Sequence, residues 1–399
     1  KRQPQEESLS NIEPVDRLSF PVSVAVESYS DDALDKLRQG RLEDCFGSAF
    51  KGKQLTESLR LPGGTMRLID RILRFDPYGG IYGRGLIQAE ADIHPDDWFL
   101  TCHFVDDMVM PGTLMYECCA HTLRIYLQRM GWISDRPEVV YEPVIDRQAF
   151  LKCRGPVTPA TRHVVYEVEI RELGFNPEPY AIADAHMYAD GHRIVMFQGM
   201  TMKMTGMDRG ALENFWAMRP ETGPSPAKDM DIPSSPNVEF SRDQLIEFAT
   251  GLPSKAFGPP YRPFDQERFI ARLPAPPYAF IDRVTRVEPP PWVLKPDGWV
   301  ETVCAIDPQD WYFRSNGAPF MPICILMEIA LQACGFLAAY MGSALQSDKD
   351  LHFRNLDGEA TLHATVRSDA GPVHTRARLL QSRSLIHLSV PTRPAPLAR

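Results

Sequence analysis

The sequence repeats itself: the same motifs occur twice, in the same order, along its 399 residues. The partner segments are MRLIDRILRFDP (66–77) with YAFIDRVTRVEP (278–289), IHPDDWFL (93–100) with IDPQDWYF (306–313), Met110-Pro111 with Met321-Pro322, and Glu117 with Glu328. The offset between partners stays between 211 and 213 residues, which chance does not produce over so many positions. A repeat of this kind determines the architecture, because each copy must adopt the same fold. The chain therefore contains two copies of one domain.

Each copy predicts the same order of strands and helices. A first strand, a hairpin and a second strand lead to an Asp-Trp pair, and a long helix and a set of final strands follow. Beta-branched and aromatic residues at alternate positions identify the final strands. They are HVVYEVEI (163–170), AIADAHMYA (181–189) and IVMFQGMTMKM (194–204) in copy one, and ATLHATV (360–366), HTRARLL (374–380) and SLIHLSV (384–390) in copy two. We therefore predict an α+β fold in which a sheet wraps around one buried helix, twice.

Two regions fall outside this repeat. Residues 1–59 show no partner, and within them SDDALDKLRQGRLEDCF (30–46) predicts one short capped helix packed on copy one. The stretch 220–240 is rich in Pro and Ser, a composition typical of linkers. The predicted divisions are an N-terminal extension (1–59), a first domain (60–206), a linker (207–255) and a second domain (256–399).

Composition and charge argue against several classes of protein. The net charge of -9 gives no basic face for nucleic acid. Eight cysteines without a CxxC pair, and a start without an apolar run, indicate a cytoplasmic protein with reduced thiols. Residues 320–342 are apolar and long enough to cross a bilayer, but Glu328 and Gln332 lie in their middle. We therefore predict a buried core helix there and no membrane span.

The stretch HFVDDMVMPG (103–112) combines groups that suit acid–base chemistry. Pro111 suits a helix start, and Gly112 leaves a bare N–H there that can hold a carbonyl oxygen as it gains negative charge. His103 can move a proton near neutral pH. An acid in the apolar helix that follows, such as Glu117, should have a raised pKa and donate a proton. Together these groups suit proton abstraction next to a carbonyl, followed by loss of a leaving group.

These residues carry a family resemblance. HFVDDMVMPGTLMYE resembles the active-site signature of the hot-dog-fold dehydratases that act on 3-hydroxyacyl chains of acyl carrier protein, and the ExxxQ of Glu328 and Gln332 resembles the acid and amide on their central helix. With FIDRVTRV, WYFRSN and HFRNLDG, the chain from about residue 30 to 390 is most similar to the tandem dehydratase region of bacterial polyunsaturated fatty acid synthases. The resemblance implies a double hot-dog, in which two antiparallel sheets each wrap a central helix and pack as a pseudo-dimer.

The resemblance also implies a site shared between the copies. His103 of copy one would face Glu328 of copy two, with Gln332 one helical turn further on. His103 would remove the alpha proton of a 3-hydroxyacyl thioester, the Gly112 N–H would polarise the carbonyl, and Glu328 would protonate the departing hydroxyl. The substrate would arrive on the phosphopantetheine of acyl carrier protein, inside a multi-domain synthase, with no cofactor of the enzyme's own. A homodimer is compatible with this reading.

The repeat implies a second site, in which Glu117 of copy one faces the segment of copy two that corresponds to His103. We call it the mirror site and predict that it is degenerate. Alignment of the copies without gaps, backwards from Met321, places Arg314 opposite His103, and an Arg cannot act as a base. Glu117 would then face a copy without a His, with His121 in place of Gln332 and a possible ion pair to Arg314. One working site per chain is the resulting prediction.

Three other interpretations compete with this one. A hot-dog thioesterase would use the same fold, since fold does not determine function. A non-catalytic acyl-binding or scaffold module is a second alternative, because copy two lacks the His motif. A zinc site at Cys102, His103, Cys118, Cys119 and His121 has none of the usual ligand spacings, so we expect no metal.

Overall fold

The computed structural model describes residues 24–217, 239–382, 386–389 and 392–394. Most of the predicted linker stretch 220–240 and three residues of the last predicted strand lie outside these ranges. Copy one contains β1 (Glu27–Tyr29), α1 (Asp31–Arg38), α2 (Leu42–Phe46), β2 (Arg71–Asp76), β3 (Leu86–Asp92), α3 (Trp98–Thr101), α4 (Gly112–Arg129), β4 (Val140–Glu142), β5 (Gln148–Cys153), β6 (His163–Gly174), β7 (Tyr180–Ala189), β8 (His192–Thr205) and α5 (Arg209–Ala217). Copy two contains α6 (Arg242–Thr250), α7 (Pro253–Phe257), β9 (Arg283–Glu288), β10 (Trp299–Cys304), α8 (Trp311–Asn316), α9 (Ile323–Tyr340), β11 (Asp357–Thr361), β12 (Val373–Ser382), β13 (Ile386–Ser389) and β14 (Thr392–Pro394).

The first sheet is antiparallel and has nine strands, in the order β1-β2-β3-β6-β7-β8-β5-β11, with β4 beside β8. All of them except β11 belong to copy one. The three final strands predicted for this copy are confirmed as β6, β7 and β8. Alternate residues of β6, Val164, Tyr166 and Val168, are buried in the same core as Leu114 and Leu123 of α4. The apolar alternation of the strands thus packs directly against the apolar face of the helix.

The second sheet has the order β13-β12-β10-β9, with β14 beside β12, and it packs on α9. β12 confirms the strand predicted at 374–380, and β13 covers the described part of the strand predicted at 384–390. The strand predicted at 360–366 is displaced toward the N-terminus, because β11 ends at Thr361. β11 pairs with β5 of copy one, Thr361 opposite Gln148, so the first sheet continues from one copy into the other. This arrangement is the predicted α+β double hot-dog.

The apolar segment of copy two forms a core helix. α9 has the length and apolar composition of a membrane span, but 67% of it is buried inside the protein. Glu328 and Gln332 are both buried within it. The prediction of a buried helix is confirmed.

The repeat extends further than the sequence motifs indicate. In copy one, Ser30 caps α1, and α2 ends at Gly47; in copy two, Ser241 caps α6, and α7 ends at Gly258. Gly47 and Gly258 have nearly the same left-handed backbone, with φ of 87° and 86°. The prediction that residues 1–59 have no partner is therefore wrong for this part of the chain. The structure also has helices inside the predicted linker 207–255, namely α5, α6 and the start of α7.

Matching contacts relate the two copies by an approximate twofold axis. The Ala275 N–H donates to the Cys102 carbonyl at 2.8 Å, and the Gly63 N–H donates to the Ser315 carbonyl at 3.2 Å. The rings of Trp98 and Trp311, which are repeat partners, lie 5.5 Å apart between the copies. α4 packs against α9. The copies therefore form one body in which each contributes groups to the other.

Candidate active site

His103 follows α3, and its ring has a defined tautomer. Nδ1 lies 2.8 Å from the carbonyl oxygen of Val109, which can only accept, so Nδ1 carries the proton and Nε2 has a free lone pair. The ring stacks on Phe104 at a centroid distance of 4.0 Å. Burial lowers the pKa of His103, against the opposing charge of Glu328. These contacts hold a neutral imidazole that can accept a proton.

Glu328 lies in α9, and hydrogen bonds reach both of its carboxylate oxygens. The Thr113 hydroxyl is 2.8 Å from Oε2, and Gln332 Nε2 is 3.2 Å from Oε1. The Gln332 amide is itself oriented, because its Oε1 accepts from the Phe280 N–H at 2.9 Å and its Nε2 donates to the Tyr278 carbonyl at 2.7 Å. The side chain of Glu328 is therefore held in one position.

The structure brings His103 of copy one and Glu328 of copy two together. The ring of Tyr278 lies at right angles to the His103 ring, with centroids 6.3 Å apart, and its hydroxyl contacts Thr113, which bonds to Glu328. Glu328 is also within electrostatic range of the His103 ring. The base, the acid and the amide predicted from the sequence thus share one site between the copies.

Gly112 is the first residue of the 18-residue helix α4, so its N–H is free of the helix's own hydrogen bonds. Pro111 precedes the helix as its N-cap. The side chain of Asn355, from copy two, covers this position: a Cβ on Gly112 would lie 3.3 Å from Asn355 Nδ2. Asn355 was not predicted from the sequence, where its only signal is its place within HFRNLDG. A side-chain amide donor therefore stands beside the bare backbone of Gly112.

Two aspartates attach the loop after His103 to copy two. Asp106 binds Arg272 at 2.9 Å. Asp107 binds the Arg354 guanidinium through both oxygens, at 2.6 and 2.8 Å, and also lies 2.9 Å from Nδ1 of His352. Arg354 immediately precedes Asn355, so this ion pair holds the segment that contains Asn355 against the His103 loop. The acidic pair in HFVDDMVMPG thus connects the His103 loop to the segment that covers Gly112.

The counterpart of His103 in the mirror site is Asn316, and the predicted counterpart Arg314 is wrong. The matching bonds of Cys102 and Ser315 place Asn316 at the position of His103. The gapless alignment failed because the connection from the Trp to the Met-Pro pair is two residues shorter in copy two. Asn316 is buried and accepts a hydrogen bond from Arg124 at 3.2 Å. The mirror site therefore has an amide where the first site has an imidazole.

Glu117 of the mirror site pairs with His121, whose Nε2 lies 3.2 Å away. The proposed ion pair with Arg314 is wrong, because Arg314 is exposed and Glu117 is buried. Burial alone would raise the pKa of Glu117, but His121 and Arg124 outweigh it, and the pKa lies below its ordinary value. The expectation of a raised pKa is therefore also wrong for this acid, which behaves as a paired structural carboxylate.

Within the described residues, one group of side chains has the geometry of a possible metal site: Glu90, Asp92 and His163. The Arg71 guanidinium binds both carboxylates, at 2.7 Å for Glu90 and 2.5 Å for Asp92. A positive charge from the chain itself thus already pairs with both carboxylates of the cluster. We assign it to the ion pairs on the surface of the first sheet.

Comparisons with known proteins agree with this architecture. A family model for FabA-like domains matches residues 61–198 and 273–371. A polyunsaturated fatty acid synthase component of Thraustochytrium sp. is 26% identical over 462 residues, which cover 88% of this chain and 30% of that protein. The chain thus spans under a third of that relative's length.

Solved structures resemble the chain more distantly. The dehydratase domain of RzxB from Pseudomonas fluorescens has a TM-score of 0.43 and 10% identity, over 84% of this chain and 94% of that one. The dehydratase domain from the terminal module of the rifamycin polyketide synthase has a TM-score of 0.39 and 12% identity, over 84% and 92%. The family match covers more than half of the chain, in both copies. The chain therefore belongs to the family of FabA-like domains.

Proposed function

We propose that this chain removes water from a 3-hydroxyacyl thioester and produces the 2-enoyl thioester. One observation carries the proposal: a neutral imidazole with a free Nε2, from His103, shares a site with the buried carboxyl group of Glu328. Membership of the FabA-like family and the likeness to a component of a polyunsaturated fatty acid synthase support the same chemistry.

In the proposed reaction, His103 Nε2 accepts the proton from C2 of the substrate. The electrons of that C–H bond form the C2–C3 double bond, and the C3–O bond breaks as Glu328 protonates the hydroxyl, which leaves as water. In this proposal the Gly112 N–H and Asn355 Nδ2 donate to the thioester carbonyl, where negative charge develops; the support is that Asn355 Nδ2 lies 3.3 Å from where a Cβ of Gly112 would stand. A proton then passes from His103 to Glu328, through solvent, and restores both groups.

The substrate in this proposal is carried on the phosphopantetheine of an acyl carrier protein, and the chain works beside the other domains of a synthase. The support is the relative, a synthase component more than three times as long as the matched segment. The proposed chemistry consists of proton transfers and the loss of water, with no net oxidation or reduction, and requires no cofactor bound by this chain.

The direct test gives the purified chain a 3-hydroxyacyl thioester, on phosphopantetheine and on a carrier protein, and follows the loss of water by mass spectrometry. We expect the 2-enoyl thioester with either substrate, faster with the carrier protein. Release of free thiol would indicate a thioesterase instead. Binding of the acylated carrier without product from either substrate would indicate a scaffold module.

The pH dependence of this activity provides a further prediction. His103 must be neutral to accept a proton, and burial lowers its pKa below the ordinary 6.5. As pH falls, activity should therefore persist through 6.5 and decline only below it. The measurement is kcat/KM across the acidic range, which reports the free enzyme. A decline centred above pH 6.5 would contradict the assignment of His103 as the base.

A further inference from the structure

We propose that Thr113 and Tyr278 form a hydroxyl chain that positions Glu328 and strengthens it as the acid of the reaction. This inference rests on the proposed function and adds two residues to it. Both act through Glu328 and are positioning residues. Thr113 belongs to copy one and Tyr278 to copy two, so the chain of hydrogen bonds crosses between the copies.

The hydroxyl chain is continuous and buried. The Tyr278 hydroxyl lies 3.1 Å from Thr113 Oγ1, which lies 2.8 Å from Glu328 Oε2. Tyr278, Thr113 and Glu328 are 0%, 3% and 4% exposed. Each hydroxyl has one proton. If Tyr278 donates to Thr113, the Thr113 proton must point to the carboxylate.

Tyr278 also orients the second donor to Glu328. Its backbone carbonyl accepts from Gln332 Nε2 at 2.7 Å, and the same amide nitrogen lies 3.2 Å from Glu328 Oε1. Both oxygens of the carboxylate are therefore held through Tyr278, one through its hydroxyl and one through its carbonyl. Hydrogen bonds to the charged form of a carboxyl group favour that form. Glu328 is thus prepared for the negative charge that it acquires when it gives up its proton.

The mirror site provides an internal comparison. The repeat partner of Thr113 is Cys324, which hydrogen-bonds to Glu117, and the partner of Tyr278 is Met66. A thiol is a weak donor, and Met has no proton to orient it. The contact between the second helical residue of one copy and the acid of the other therefore occurs in both sites. Only the site that contains His103 has the hydroxyl chain.

His103, Cys102 and Tyr278 are within electrostatic reach of the charge of Glu328. Burial raises the pKa of Cys102 to about 12 and holds the pKa of Tyr278 well above its ordinary value, so neither changes charge near neutral pH. The thiol of Cys102 and the phenol of Tyr278 therefore contribute no change of charge to the pH–rate profile near neutral pH.

The test compares Thr113→Val, which removes the hydroxyl at nearly constant volume, with Thr113→Ser, which keeps it. We expect Thr113→Val to lower kcat by about 10- to 100-fold, the range for a lost hydrogen bond to a charged group, with KM within about twofold. The basic limb of the pH–rate profile of Thr113→Val should move to higher pH, because Glu328 has lost a hydrogen-bond donor that favours its ionised form. Thr113→Ser should have the kcat and the basic limb of the unmodified chain. Tyr278→Phe should shift the profile in the same direction, by less.

The mirror-site variant Cys324→Ala is the matched control, and we expect its kcat and pH profile to equal those of the unmodified chain. A Thr113→Val enzyme with unchanged kcat and pH profile would overturn the inference, as would a loss that Thr113→Ser does not restore. Infrared titration of the Glu328 carboxyl band, identified by subtraction of Glu328→Gln, reports the same shift without turnover. An inactive unmodified chain would therefore count against the proposed function alone, while an unshifted band in Thr113→Val would count against the inference.

Discussion

Replacement of His103 by Ala is expected to reduce dehydration by about a thousandfold, within the range that a positioned general base contributes. Nδ1 of this ring is committed to the Val109 carbonyl, so Nε2 is the nitrogen that accepts the proton. Water in place of the ring would be a weak base without fixed orientation. The measurement is the single-turnover rate of water loss from a 3-hydroxyacyl thioester, followed by mass.

The control for this variant is His163→Ala. His163 is exposed on the first sheet, where it pairs with Asp92, and it should be dispensable for turnover. Equal midpoints of thermal unfolding for the two variants would show that the loss of turnover in His103→Ala is not caused by unfolding. Normal turnover by a folded His103→Ala protein would remove His103 from the mechanism.

Replacement of Glu328 by Gln is expected to have an effect of similar size, about a thousandfold, because Gln has nearly the same shape but no proton to give to the leaving hydroxyl. Thr113 and Gln332 can still contact the new side chain, so the site should keep its geometry. The rate with a substrate that carries a better leaving group than hydroxyl should recover in part, since that group needs less assistance.

The repeat provides a matched control for this variant, Glu117→Gln. Glu117 is the partner of Glu328, but Asn316 stands in its site in place of a His, and Glu117 pairs with His121. We expect this change to lower the midpoint of thermal unfolding, because it breaks a buried pair, and to leave turnover of the folded protein within a few fold. If Glu117→Gln removed turnover from a folded protein, two coupled sites would be needed, and the single-site prediction would be wrong.

Much of the fold could be predicted from the sequence because buried apolar residues recur at the period of the strand or helix that contains them. The alternation in 163–170 and 194–204 predicts strands, and β6 and β8 contain them. Pro111 and Pro322 predict the starts of the two long helices, and α4 and α9 begin at the next residue. These signals are local, since they depend on which side of one element faces the core.

The repeat of the terminal helices was missed because few of its residues are identical. Ser30 and Ser241, and Gly47 and Gly258, perform the same capping and turn roles in both copies. Between them the buried partners Leu34 and Leu245, and Phe46 and Phe257, are also identical, whereas most of the other positions differ. Conformation is preserved in these segments by a few positions, too few for the sequence pattern to stand out.

The sequence by itself determined that two copies of one fold exist, that their long helices are buried, and that His103, Gly112 and Glu328 have the right chemistry. Only the tertiary structure decided which groups meet. Asn355, Thr113 and Tyr278 reach the site from segments far apart in the chain, and Asn316, rather than Arg314, takes the place of His103. The physical reason is that a strand or helix is specified by its own residues, whereas a contact across the twofold axis depends on loop length and on the register of two surfaces at once.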